Sequence, residues 1–231
     1  MSDAGLFATM ESLRATRVYE ERAVPPAVLA RILRAATYAC SAGNTQPWEF
    51  VVVTDRETKR RLKEILTAAF AGVDSDRTQQ PDQLIDGTGR PVTGHAAIEH
   101  ADAVGAIVFV YWNPDRGARL RGEYAENADG TLRQTRPIPG GRGSSLYPGC
   151  QNMMLAAHAL GVASLFTTFF GLAEPEVRAL LHVPPRMFLE AAVFLGYPAE
   201  RLGPPRRKPL AEVVHLEDWD GRYEAAEETT A

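Results

Sequence analysis

The apolar stretches of this chain are no longer than a β-strand, and that length limits what it can fold into. The most apolar of them, residues 103–112, has about half of the roughly 20 residues that a membrane-spanning helix needs. Three such stretches predict buried strands, at 49–54, 103–111 and 187–195. We therefore expect a globular protein without a membrane partner.

Helical segments lie between these strands. The pair Pro25-Pro26 suits a first helical turn, and Asp55 has the side chain of a helix N-cap. The apolar spacing predicts helices at 6–15, from Pro25 onward, from Asp55 to about 70, at 96–101, at 147–160 and at 174–181, and it predicts an extended segment at 163–169.

The order of these elements indicates the fold class. No regular alternation of strand and helix runs along the chain, so the pattern favours an α+β fold, a sheet with helices packed on it, over a doubly wound fold. We expect a single domain over residues 1–231, with its core at about 11–219. Two long polar segments, 71–94 and 113–144, interrupt it. Loops of that length in compact domains are usually functional or disordered.

The charge balance and the cysteines narrow the class of protein. Lys and Arg number 25 against 29 Asp and Glu, and this net charge of −4 lacks the excess of a general nucleic-acid binder. Cys40 and Cys150 form neither a metal-binding spacing nor a disulfide framework. Residues 1–14 lack the basic and apolar regions of a signal peptide. We expect a cytoplasmic protein with no nucleic-acid partner.

Several common catalytic motifs are missing from the sequence. There is no P-loop string, no serine elbow, and no third glycine after Gly87 and Gly89 to complete a dinucleotide fingerprint. His95 and His100 are spaced wrongly for two metal ligands on one helical face. If the chain is an enzyme, the sequence therefore favours chemistry supplied by a bound cofactor.

Two motifs are positive signals. Arg14 and Arg17 lie near the predicted end of the first helix and share its face there. They form either a solvated basic surface or a clamp for an anion, because guanidinium binds phosphate bidentately. The string SAGNTQPW at 41–48 combines small residues, which let a ligand approach the backbone, with the amides of Asn44 and Gln46. A plain loop is the alternative for this string.

The order of the motifs resembles the nitroreductase family of flavin-dependent oxidoreductases. An R-x-x-R pair is followed by S-x-G-N-x-Q-P-W, then by Q-N-x-x-L-A-A-x-A-L-G at 151–161, then by L-G-Y-P at 195–198. A basic cluster before P-L-x-E-V-V closes the series. The resemblance runs from about residue 11 to 219 and implies a mainly antiparallel central sheet flanked by helices in an intertwined homodimer.

The resemblance also implies a tightly bound, non-covalent FMN at the dimer interface. The residues it assigns to FMN are the phosphate-binding Arg14, Ala15, Thr16, Arg17, Arg206 and Arg207, the loop residues Cys40, Ser41 and Asn44 that approach from the other subunit, and Thr167, Thr168 and Phe169, whose backbone faces the flavin ring. The chain departs from the family at Cys40, where proline is common, and at Ala15, where serine is frequent. We expect Cys40 to be a small buried replacement.

The function implied is ping-pong hydride transfer. NAD(P)H reduces the flavin at N5, leaves, and is replaced by an electron-poor acceptor such as a nitroaromatic or a quinone, without a catalytic side chain or a metal. We expect segments 71–94 and 113–144 to shape the acceptor slot, with Trp112 and Tyr124 as lids. The alternatives are a dehydrogenase, a dehalogenase or a flavin-fragmenting enzyme on the same fold, a flavin-storage protein, and a partner-binding domain without cofactor.

Overall fold

A computed structural model describes residues 3–71, 94–116, 124–135, 141–200, 202–203, 205 and 207–223. The helices are α1 (Asp3–Ser12), α2 (Pro26–Thr37), α3 (Arg56–Phe70), α4 (Gly94–Glu99), α5 (Tyr147–Ala159), α6 (Glu174–Leu180) and α7 (Leu210–Val213). The strands are β1 (Trp48–Val53), β2 (Ala106–Trp112), β3 (Tyr124–Glu126), β4 (Leu132–Gln134), β5 (Ala163–Thr167) and β6 (Phe188–Gly196). Short 3-10 turns span Ala42–Asn44, Arg142–Ser145 and Phe169–Ala173.

The core is a four-stranded sheet in the order β1-β2-β6-β5, and all of its neighbouring strands are antiparallel. Every residue of β2 is buried, because helices cover both faces of the sheet. Side chains of α3, α4 and α6 pack on one face. Those of α2 and α5 pack on the other. The expected α+β fold, an antiparallel sheet flanked by helices, is confirmed.

Helix α3 begins where the sequence predicts. Asp55 adopts an extended conformation, and its carboxylate accepts hydrogen bonds from the Thr58 amide (2.7 Å) and the Thr58 hydroxyl (2.8 Å). The backbone bond satisfies one of the amides that a helix leaves free at its first turn. The apolar side of the helix then buries Leu62, Leu66 and Phe70 against the sheet.

Replacing this cap should make stability depend less on pH. Hydrogen bonds from Thr58 hold the pKa of Asp55 below its usual value. A lowered pKa in the folded state stabilises the fold above the unfolded pKa of about 3.9, and this contribution is lost as the pH falls through the folded value. We expect Asp55→Ala to melt about 2–4 °C below the parent at pH 7. The difference should vanish near pH 2 in scanning calorimetry. An Asp220→Ala control, which removes an equal charge from the tail, should show neither effect.

The segment after α1 differs from the prediction. The helix ends at Ser12 rather than at residue 15, and the chain then runs extended along the free edge of β5. Ala15 forms a parallel bridge with Ser164, and the Thr16 amide donates to the Ser164 carbonyl at 2.9 Å. The expectation that Arg14 and Arg17 share a helical face is therefore wrong. Backbone bonding to an open sheet edge outweighs helix propagation in a stretch that contains Thr16, Val18 and Tyr19, which favour extended structure.

The polar segment 113–144 also contains more structure than a loop. Strands β3 and β4 form a short antiparallel hairpin in which Tyr124 pairs with Gln134. The Tyr124 ring packs on Phe188 at the start of β6, with centroids 5.2 Å apart. Most of the other long segment, 72–93, lies outside the described residues. Nothing there tests its expected role in shaping the acceptor slot.

Candidate functional site

The first part of the candidate site is the pair Arg14 and Arg17 beside β5. Both side chains are half-buried. Arg14 donates to the carbonyl of Gly203, and Arg17 donates to the carbonyl of Ala15 at 3.4 Å. Burial lowers the pKa of Arg17, and the positive charge of Arg14 lowers it further. Within the described residues neither guanidinium pairs with a carboxylate, and the two arginines are near enough for the charge of Arg14 to act on Arg17.

Tyr19 fixes the shape of the segment from Arg14 to Tyr19, called here the arginine segment. Its ring is buried, and its hydroxyl donates to the Thr16 carbonyl at 2.6 Å. Burial raises the pKa of Tyr19, which keeps the hydroxyl protonated and able to donate. A second bridge joins Tyr19 to Pro198, just beyond β6. The segment from Arg14 to Tyr19 is thus held by hydrogen bonds at both ends.

The C-terminal arginines are only partly described. The bond from Arg14 to Gly203 brings the tail to the arginine segment. Arg207 is exposed and follows Gly203 by four residues, a separation of at most about 14 Å in an extended chain. Arg206 lies outside the described residues. The predicted approach of Arg206 and Arg207 to Arg14 stays a prediction.

The second part is the loop from Ser41 to Gln46, called here the SGN loop. It is tightly folded, with positive φ at Gly43 (60°), Asn44 (53°) and Gln46 (49°). The Gln46 amide donates to Ser41 Oγ at 3.0 Å, and the Ala42 amide donates to Ser145 Oγ at 3.2 Å. Left-handed backbone at residues other than glycine is uncommon and concentrates at functional sites.

The amide side chains of the SGN loop are exposed on the surface of the single chain. Asn44 and Gln46 are exposed, and Gln46 Nε2 donates to Asn44 Oδ1 at 3.3 Å. No hydrogen bond among the described residues joins the loop to the arginine segment. Cys40, just before the loop, is exposed as well, so the expectation of a buried replacement is wrong for this chain. The reason is that Cys40 lies in the irregular stretch after α2, beyond the face that packs on the sheet.

The third part is the end of β5. Thr167 is the last residue of the strand, one residue before Thr168 opens a 3-10 turn. The Phe169 amide donates to Thr167 Oγ1 at 3.2 Å, and the Phe169 ring packs edge-on against Phe70 at 4.9 Å. Since the arginine segment pairs with β5 near its beginning, a single strand separates these two parts of the predicted site.

The two aromatic side chains expected to act as lids differ. Trp112 ends β2 and is only 4% exposed, so it belongs to the core and is not a lid. Its place opposite Trp48 in the sheet explains the burial. Tyr124 lies on the β3–β4 hairpin with its ring against Phe188, and a covering role for it stays a prediction.

A half-buried ion pair between Arg142 and Glu190 was not predicted from the sequence. Arg142 Nε donates to Glu190 Oε1, and the guanidinium also lies over the Phe188 ring, 4.4 Å from its centre. Burial raises the pKa of Glu190, an effect that the charge of Arg142 opposes. A signal was present in the sequence, because Glu190 is the one charged residue within the apolar run 187–195.

No cluster of three or more His, Cys, Asp or Glu side chains in the described ranges could hold a metal ion. None of the described helices has both the length and the apolar character needed to cross a bilayer.

Comparisons with known proteins agree with this architecture. A family model described as the nitroreductase family matches residues 11–197. An NADH dehydrogenase of Thermus thermophilus is 32% identical over 87% of this chain and 90% of its own length. Iodotyrosine deiodinase 1 of Sus scrofa is 24% identical over 87% of this chain and 64% of its own. A nitroreductase of Desulfovibrio desulfuricans, solved in complex with FMN, superposes with a TM-score of 0.63 at 22% identity, covering 93% of this chain and 97% of that one.

The family match spans most of the chain and includes the arginine segment, the SGN loop, β5 and β6. These are the parts that the structure arranges around one edge of the sheet and the turn before α5. This protein is therefore a member of the nitroreductase family of oxidoreductases.

Proposed function

We propose that this protein binds FMN non-covalently, with the phosphate held by Arg14, Arg17 and Arg207. The observation that carries the proposal is the close pair of half-buried guanidinium groups without a carboxylate partner among the described residues. Such a pair repels itself, and a phosphate with its two negative charges relieves that repulsion through charge-assisted hydrogen bonds. The FMN bound to the Desulfovibrio relative supports the choice of ligand.

The remaining predicted residues would hold the flavin along β5. Ala15 and Thr16 keep the arginine segment against the strand, and the backbone of Thr167, Thr168 and Phe169 would border the ring. Cys40 and the SGN loop of a second copy, including its Ser41 and Asn44, would approach the same flavin from the other side of the interface.

A homodimer is part of the same proposal. Large apolar side chains are exposed on α1 and in the tail, among them Phe7 (59% exposed), Leu210 (49%), Val213 (51%) and Trp219 (79%). Exposed apolar patches on a chain of this kind mark interaction surfaces. A second copy that covers them would also bring its SGN loop toward the first copy's arginine segment.

The proposed reaction is a two-step electron transfer between small molecules. When bound, FMN would supply the redox chemistry, taking a hydride from NAD(P)H and passing two electrons to an electron-poor acceptor such as a nitroaromatic or a quinone. The chain's own residues bind, orient and shield, and none of them needs to act as a nucleophile. The 32% identical relative named NADH dehydrogenase supports a nicotinamide donor.

A second candidate is a different flavin reaction on the same fold. Among the possible flavin reactions, reductive dehalogenation is favoured by the similarity to an iodotyrosine deiodinase over 87% of this chain. A dehydrogenase, a flavin-fragmenting enzyme and a flavin-storage protein are the further alternatives. They differ from the main proposal in what reduces the flavin and in whether turnover follows.

The visible spectrum of the purified protein tests both proposals together. We expect a yellow protein whose flavin bands bleach on anaerobic addition of NADH or NADPH and return on addition of a quinone. A yellow protein that nicotinamides fail to bleach, but that its own substrate reduces, would favour a dehydrogenase. Bleaching without steady turnover on any acceptor would favour storage, and a colourless protein that refuses added FMN would contradict the cofactor assignment.

A further inference from the structure

Glu190 occupies an irregular position in the central strand β6. Val110 pairs with Ala191, whereas the next residue, Tyr111, pairs with Leu189, so Glu190 is an extra residue without a partner in β2. Such β-bulges redirect a side chain and are frequent near functional sites. Here the redirected side chain is a carboxylate that is only 11% exposed.

Arg142 neutralises that carboxylate and makes two further contacts. Its Nη1 donates to Gln134 Oε1 at 3.0 Å, and its guanidinium lies over the Phe188 ring. Gln134 is the last residue of β4, and Phe188 also contacts Tyr124 of β3. A single guanidinium thus connects both strands of the hairpin to the central sheet.

The same residue opens the 3-10 turn Arg142–Ser145 that leads into α5. The last residue of the turn, Ser145, is buried, and its hydroxyl accepts the hydrogen bond from Ala42 in the SGN loop. The positions of Arg142 and Ser145 are coupled because one short turn contains both. A continuous series of contacts therefore runs from the bulge at Glu190 through Arg142 to the SGN loop.

We propose that Arg142, held by Glu190, is a positioning residue that fixes the SGN loop and the β3–β4 hairpin relative to each other. The functional meaning rests on the proposed FMN site. The loop and the hairpin of one copy would form two walls of the slot over the flavin held by the other copy's arginine segment, so this residue would set the width available to the acceptor. A buried ion pair is poor evidence of stabilisation, since apolar residues often replace one without loss. The ion pair is better explained by the three parts that Arg142 connects, which are β6, the β3–β4 hairpin and the turn before α5.

The test is hydrogen exchange on the purified protein. The Arg142→Met/Glu190→Gln double variant removes both charges together, so no lone buried charge remains to unfold the chain. We expect the amides of 41–46 and of 124–134 to exchange about tenfold faster than in the parent, while those of β2 stay protected. The single variant Arg142→Met should show the same pattern with a lower melting temperature.

Two controls separate positioning from a general loss of stability. Lys63→Met/Asp102→Asn removes another half-buried ion pair, between α3 and the turn before β2, and should leave exchange in both regions unchanged. Arg186→Met removes the contacts of Arg186 to Glu126 of the hairpin (3.6 Å) and to Asp115 just after β2 (2.9 Å). It should speed exchange in 124–134 alone, because Arg186 makes no described contact with the turn before α5.

Unchanged exchange at 41–46 in the double variant would overturn the proposal, as would equal effects from the Lys63→Met/Asp102→Asn control. The measurement needs no bound flavin, so it can succeed or fail independently of the FMN assignment. If the protein carries FMN, the double variant should also weaken the visible circular dichroism of the flavin. The Arg186→Met variant should retain that signal.

Discussion

An Arg14→Ala/Arg207→Ala variant is expected to be colourless after purification under conditions in which the parent retains FMN. Each arginine would make charge-assisted hydrogen bonds to the phosphate, at about 1.5–3 kcal/mol each. Losing two of them removes about 3–6 kcal/mol and raises the FMN dissociation constant about 10²- to 10⁴-fold. Fluorescence titration of the apoprotein with FMN measures that change. The difference in FMN affinity between the variant and the parent should be smaller in high salt, because salt screens the charges by which the parent holds the phosphate.

The matched control is Arg56→Ala/Arg61→Ala, which removes two exposed arginines from α3. It changes the net charge equally and should leave FMN affinity within about twofold, because both side chains are exposed to screening by salt and neither has a described contact with Arg14 or Arg17. Full colour in the Arg14→Ala/Arg207→Ala variant would refute the phosphate clamp. Loss of colour in both variants would mean that overall charge, rather than a built site, holds the flavin.

Gly196→Ala should disturb the same site from inside the fold. A Cβ at this position would lie 2.8 Å from Cδ1 of Tyr19 and 3.1 Å from the amide nitrogen of Gly105. Neither neighbour can yield without cost, because the Tyr19 ring is buried and the other atom is backbone. Overpacking of this kind costs about 1–3 kcal/mol, which lowers the melting temperature by roughly 2–12 °C.

The displacement should reach the arginine segment through Tyr19. When its ring shifts, the hydroxyl loses the 2.6 Å bond to the Thr16 carbonyl that holds Arg14 and Arg17 in place. We therefore expect weaker FMN binding together with the lower melting temperature. Gly171→Ala is the control, since a Cβ there meets nothing within 4 Å. A Gly196→Ala protein with parental stability and affinity would show that Tyr19 does not hold the segment.

The close approach of Tyr19 to Gly196 explains why the L-G-Y-P motif contains a glycine. In the sequence, Gly196 marks only the end of a predicted strand, and its importance as a motif comes from resemblance. The structure shows that the absence of a side chain lets the Tyr19 segment approach β6, where Tyr19 bridges to Pro198. The glycine, the tyrosine and the arginines are therefore one packing unit assembled from distant parts of the chain.

Elements whose signals are local could be predicted from the sequence. The strands β1, β2 and β6 follow from short apolar runs. Helix α3 begins just after Asp55, because this cap and the amide it binds are only three residues apart. The ordered motifs were sufficient to indicate the family, which the match over residues 11–197 confirms. These features depend on periodicity and on neighbours in sequence, which a single chain displays directly.

Tertiary structure decided everything that depends on partners far away in sequence. The arginine segment is extended because β5 offers it a free edge, Trp112 is core because α2 and α5 cover its face, and Glu190 is tolerated in an apolar strand because Arg142 reaches it. In each case a long-range hydrogen bond, a packed surface or an opposite charge outweighs the local preference. Such contacts form only when the sheet brings the segments together, so no pattern along the chain records them.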